Sequence, residues 1–122
     1  MINIWEHYPA QNPVTYQPIP LPIIAGEGVT EAIYCPFCRD LFVQVDITGL
    51  SSGESVTGGI QGSLDGINWG GPEATLTVDT NGTTMLRVAG ALPPYVRLYG
   101  IATTNENSEA SISLQFHIAN MV

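Results

Sequence analysis

From residue 29 onward apolar and polar side chains alternate with a period of two, the spacing of a strand with one buried face. Leu41, Val43, Val45 and Ile47 are interleaved with Phe42, Gln44, Asp46 and Thr48. Val56, Ile60 and Leu64 share a parity, with Gly58 and Gly62 between them. Leu76 and Val78, Leu86 and Val88, and Val96 and Leu98 repeat the pattern on shorter runs. The longest run comes last, with Ala110, Ile112, Leu114, Phe116 and Ile118 facing one way and Ser111, Ser113, Gln115 and His117 the other. Together with a strand near residues 29–34, about seven to eight strands are expected. No window of ten or more residues carries a helical stripe. The pattern predicts an all-β chain folded as an antiparallel β-sandwich, of jelly-roll or immunoglobulin-like type.

Turn chemistry supports the same reading. Asn81-Gly82 between two alternating runs predicts a hairpin, because a type I′ turn needs positive φ at both central residues, and Asp65-Gly66 is a second such site. Ser51-Ser52-Gly53-Glu54 and Thr104-Asn105-Glu106-Asn107 read as longer polar loops. Val43–Val45 leading to the strand at Val56, and Val96–Leu98 leading to the strand at Ala110, suggest two long hairpins. Ordinary sandwich hairpins account for them as well as an internal duplication does, and two units are thin support for a repeat.

The first 25 residues break the pattern. Pro9, Pro13, Pro18, Pro20 and Pro22 fall here, and proline removes a backbone donor and bars a central strand. Pro18-Ile19-Pro20-Leu21-Pro22 is expected to be extended, close to polyproline II. The segment is nevertheless rich in large apolar side chains, each worth about 1.5–3 kcal/mol when buried, so it should lie on some surface. Two domains of behaviour follow: an extended arm over 1–25 and a β-domain over 26–122. The surface under the arm is either a partner's or that of its own sandwich.

Composition narrows the functions. The 122 residues carry three Arg and no Lys against eleven Asp plus Glu, a net charge of −8. A phosphate backbone repels such a chain, so no nucleic-acid partner is expected. No apolar run nears the roughly 20 residues needed to span a bilayer, and no membrane partner or signal peptide is read from the N-terminus.

Candidate chemistry is sparse. Cys35-Pro36-Phe37-Cys38 is a CxxC motif without the βαβ frame that lowers a thiol pKa. A zinc site would need this pair plus His7 and His117, and buried structural cysteines beside a proline-forced bend are the favoured reading. Asp46, Asp65, Asp79, Glu54, Glu106 and Glu109 fall on loops or outward strand positions, where solvated surface is expected. Asp65 and Asn68 should bond to the backbone of their own turn. Without a nucleophile, base or metal constellation, no enzyme, cofactor or metal is expected.

The segment Ile60-Gln61-Gly62-Ser63-Leu64-Asp65-Gly66-Ile67-Asn68-Trp69 resembles a hairpin of small β-sandwich proteins from tailed-phage virions, including head decoration modules. It is also similar to the Ser-x-Asp-Gly-x-Asn-Trp turn of discoidin-like, galactose-binding domains, whose late strand is similar to Tyr95-Val96-Arg97-Leu98. The first resemblance implies a structural virion protein on the outer capsid surface that binds the major capsid protein, or another virion protein, and stabilises the shell. Its contacts would come from the arm, through Ile4, Trp5, Tyr8, Tyr16, Ile19 and Leu21, and a homo-oligomer, a trimer, would multiply them. Removing residues 1–25 is then expected to leave a folded body that no longer binds. The second resemblance implies a carbohydrate-binding module using Trp69, Tyr95 and Arg97. Against it, the loops at 49–55 and 103–109 hold no aromatic residue.

Overall fold

The computed structural model describes residues 1–7, 18–105 and 108–121. Tyr8, Tyr16 and Glu106 lie outside the described residues. Six long strands make most of the chain: β6 (Cys38–Thr48), β7 (Val56–Ser63), β8 (Gly70–Val78), β9 (Gly82–Ala91), β10 (Tyr95–Thr103) and β11 (Ser111–Met121). Five two-residue strands precede them: β1 (Ile2–Asn3), β2 (Ile19–Pro20), β3 (Ile23–Ile24), β4 (Val29–Thr30) and β5 (Ile33–Tyr34). A single helical turn, α1 (Ile4–His7), is the only helix among the described residues. The chain is therefore mostly β, as the period-two pattern requires.

The strands form a five-stranded sheet in the order β1-β5-β10-β7-β8, a four-stranded sheet in the order β2-β11-β6-β9, and the two-stranded β3-β4 ribbon. All pairings are antiparallel except β1 with β5. β6 is central to its sheet, and its alternate residues Leu41, Val43, Val45 and Ile47 are all buried. They share one hydrophobic cluster with Leu86, Val88, Leu114, Phe116 and Ile118 of the same sheet. Val56, Ile60, Leu76, Val78, Val96 and Leu98 of the other sheet belong to that cluster too.

The hairpin expected at Asn81-Gly82 does not form. β8 and β9 lie in different sheets, and only Gly82 of the pair has positive φ. Asn81 instead reaches the β6–β7 connection, where its Oδ1 accepts from the Leu50 N–H at 2.8 Å and its Nδ2 donates to the Leu50 carbonyl at 3.1 Å. A side chain imitating a peptide group thus ties two loops together, which a local sequence rule cannot foresee. The two long hairpins expected from 43–56 and 96–110 are likewise crossings between sheets. β7 and β8 alone among the long strands form a hairpin within one sheet.

The N-terminal segment is woven into this body where it is described. β1 pairs with β5, and β2 pairs with β11 through Gln115↔Pro20 and Phe116↔Ile19. Ile2, Ile4, Ile19 and Leu21 are members of the core. The prolines suit this position, because β2 is the edge of its sheet and needs few donors.

Strand directions gather the connections at two ends. One end holds the β7–β8 tip (64–69), the β9–β10 connection (92–94) and the Cys35–Cys38 turn, joined where the Cys35 N–H donates to Pro94 at 2.7 Å. The other holds loops 49–55 and 79–81 and the residues just after β10, joined by the Asn81–Leu50 pair and by Thr104 N–H donating to Ser55 at 3.0 Å.

Candidate functional site

The segment Ser63–Trp69, at the tip of the β7–β8 hairpin, is held by its own polar side chains. The Asp65 Oδ1 accepts from the Ile67 and Asn68 N–H groups, both at 2.8 Å, and Oδ2 accepts from Asn68 Nδ2 at 2.7 Å. The buried Ser63 hydroxyl accepts from the Gly66 N–H at 2.9 Å and lies 2.7 Å from the Asn68 carbonyl. The Asn68 and Ile67 amides, in that order, hold the Asp65 carboxyl far below the usual carboxylate range. Gly66 closes the turn at φ +76°, with the Tyr95 ring about 3.2 Å from where a Cβ would sit. Asp65 does cap its own turn, as expected, but only Gly66 of the Asp-Gly pair has positive φ, so the loop is longer than a type I′ turn.

What this frame presents is apolar. Leu64 is 82% exposed and Ile67 79%. Leu64 was expected to face inward with Val56 and Ile60; it lies one residue past the end of β7, where the alternation stops. Phe37, 76% exposed, projects from the neighbouring Cys35–Cys38 turn, in which it adopts φ +65°. Two aliphatic side chains on a rigid loop are prepaid contact area, since no loop entropy is lost when they dock.

Behind the tip, the outer face of the five-stranded sheet carries an aromatic belt. The Tyr34 and Tyr95 rings are register partners with centroids 5.0 Å apart. The Arg97 guanidinium lies 4.2 Å from the Trp69 ring centre, and its Nε donates to Gln61 Oε1 at 3.1 Å. Tyr99 lies over Gly59, whose missing side chain makes room for the ring. Trp69, Tyr95 and Arg97, the residues expected of a sugar site, are thus brought together, with Tyr34 and Gln61 added by strand pairing.

The residues expected as partner anchors sit elsewhere. Ile4, Ile19 and Leu21 are buried in the chain's own core, and Trp5 is half-buried against it. The apolar surface of Ile4, Ile19 and Leu21 is covered by the chain itself, while Trp5 stays partly exposed. Tyr8 and Tyr16 are among the residues not described.

Cys35 and Cys38 are free and buried. Burial, with Cys38 as a lesser cause, pushes the Cys35 thiol up to about 12, and burial pushes Cys38 up to about 11. Burial thus disfavours the thiolate, the form in which a cysteine attacks or ligates. Among the described residues no three His, Cys, Asp or Glu side chains converge on one point. His117 is half-buried on the outer face of β11, beside Phe42 and Met85 at a shallow hollow of about 260 Å³. Among the described residues no helix is long and apolar enough to cross a membrane. Set against known protein families, curated proteins and solved structures, the chain matches none.

Proposed function

We propose that this protein is a non-catalytic structural module of a virion, a decoration or cement protein on the outer capsid surface. Its two main sheets stack as an antiparallel sandwich, and the contact with the major capsid protein is made by the β7–β8 tip. The observation that carries this reading is the pair Leu64 and Ile67, 82% and 79% exposed on a loop locked by Asp65. Large aliphatic groups held rigidly in water are costly unless they are covered in the working state. The same ten-residue segment carries the resemblance to virion proteins, and the net charge of −8 suits an outer surface. Because Ile4, Ile19 and Leu21 are committed to the core, adhesion passes from the N-terminal segment to this tip. A trimer would present three tips, so modest single contacts add through effective concentration.

On this reading a major capsid gene should lie beside this one, and co-sedimentation with shells assembled from its product tests the contact. The wild-type chain should pellet with shells, and Leu64→Ser with Ile67→Ser should stay in the supernatant while keeping its melting temperature. Equal pelleting of that variant would refute the tip as the contact.

A second reading, carbohydrate binding, is favoured by the convergence of Trp69, Tyr95, Arg97 and Gln61. It is the weaker of the two because Arg97 already occupies one face of the Trp69 ring, the surface on which a sugar would stack. A glycan array on which wild type binds a sugar and Trp69→Ala does not would reverse this ranking.

A further inference from the structure

Two strands end each main sheet, β1 and β8 in one, β2 and β9 in the other. An end strand leaves a row of backbone donors and acceptors open to pairing, and short length, proline or charged side chains normally guard it. Three of the four ends are guarded in this way. β1 has two residues, β2 is a two-residue strand with Pro20 inside it and Pro18 and Pro22 beside it, and β8 carries Pro72 and Glu73. β9 is not. It runs for ten residues, Gly82–Ala91, with no proline, lysine or carboxylate. Its one charge, Arg87, lies 5.3 Å from the ring centre of Phe42, its register partner on β6, and so folds back over its own sheet instead of screening the edge.

The open groups follow from the strand's geometry. The Gly90 N–H donates to Asp40 at 2.8 Å and the Leu92 N–H to the Cys38 carbonyl at 3.0 Å, both towards β6. Backbone direction alternates along a strand, so Thr83, Met85, Arg87 and Ala89 turn their N–H and C=O groups away from β6. None of these groups bonds to another of the described residues. The side chains of the same four residues are exposed on the outer face, Met85 by 54%.

We infer that β9 is a self-association edge, at which two copies of this chain pair antiparallel about a two-fold axis and join two four-stranded sheets into one. A second copy is the fitting occupant because β9 is itself the long, unguarded end strand that such an edge requires, and it is complementary to itself. An axis through Arg87 would set two cationic side chains opposite each other. An axis through Leu86 instead sets Met85 against Arg87 of the second copy and Thr83 against Ala89, each twice by symmetry, with about eight backbone hydrogen bonds between the copies. Because β9 holds no carboxylate, the charge of −8 on each chain is not concentrated at this seam. The pairing uses neither Leu64 nor Ile67 and so stands apart from the tip contact. It closes at two copies, and a trimer would use other surfaces.

The experiment is equilibrium sedimentation of the full chain over a concentration series. The wild type should pass from one chain to two as concentration rises. Met85→Lys places an ammonium opposite Arg87 of the second copy, and Ala89→Pro removes an outward donor without touching a bond to β6. Each should raise the dissociation constant about tenfold or more while keeping the wild-type circular dichroism spectrum. Leu64→Ser with Ile67→Ser should leave the constant unchanged. If Ala89→Pro fails to fold, Met85→Lys decides alone. A wild type that stays a single chain at every concentration or assembles as three chains, or a folded variant of either kind that pairs as tightly as wild type, would overturn the edge pairing.

Discussion

Asp65 shows how much one side chain can organise. Its two oxygens accept from two backbone amides and one side-chain amide within three residues, which keeps the carboxyl ionised far into acid. Because the folded pKa is lowered, the stabilisation is complete above the unfolded value of about 3.9 and is lost only as pH falls toward the folded one. The Ile67 and Asn68 amide signals should therefore stay constant from neutral pH down to about pH 4 and move only below it. A midpoint at the ordinary aspartate value, read by NMR titration, would show that the tip is not locked as described. Asp65 as a turn-capping residue was legible in sequence, since Asp followed by Gly and Asn is a local signal. The outward fate of Leu64 was not: parity says which face a residue takes only while the strand lasts, and β7 ends at Ser63.

At the scale of elements, β6 and β11 show alternation at its most reliable. They pair along ten positions from Ser111↔Thr48 to Met121↔Cys38, and the buried set matches the apolar parity of both. Neighbours on β11 should thus differ sharply in cost. Phe116→Ala, at a 1% exposed position, should lose about 3–5 kcal/mol in denaturant unfolding. Gln115→Ala, on the outer face next to it, should stay within about 0.5 kcal/mol. Similar losses at both would mean that the two faces are not distinguished as described. Asp40 adds a detail the alternation hides. It sits in the bulge between Arg39 and Leu41 at φ +59°, accepting from the Gly90 N–H at 2.8 Å and from Asn120 at 2.6 Å. Those two partners hold its carboxyl below the ordinary range. A strand that must bend there uses a carboxylate to satisfy an amide left unpaired by the extra residue.

For the whole molecule, the N-terminal segment changes role. Ile2, Ile4, Ile19 and Leu21 together contribute about 6–12 kcal/mol of burial on an extended-chain reference, of the order of a small domain's entire stability. Ile4→Ala should therefore cost about 2–5 kcal/mol in chemical denaturation, although Ile4 belongs to none of the long strands. A loss within about 0.5 kcal/mol would restore the picture of a detachable arm. Deleting residues 1–25 should unfold the body instead of merely silencing it.

Local order was written in the sequence because a strand's period, a proline's missing donor and an Asp-Gly turn act over a few residues. That fixed the mostly β character, the inward faces of β6, β8, β9, β10 and β11, and an acidic net charge of −8. Which strands share a sheet, where the N-terminal apolar residues are sheltered, and that the Glu54 side chain is buried were decided only by tertiary packing. Those outcomes depend on contacts between residues tens of positions apart, such as Asn81 with Leu50 and Phe116 with Ile19. The same apolar strip would read identically whether its cover were a partner or the chain itself, because burial free energy is set by the area removed from water and not by whose surface removes it.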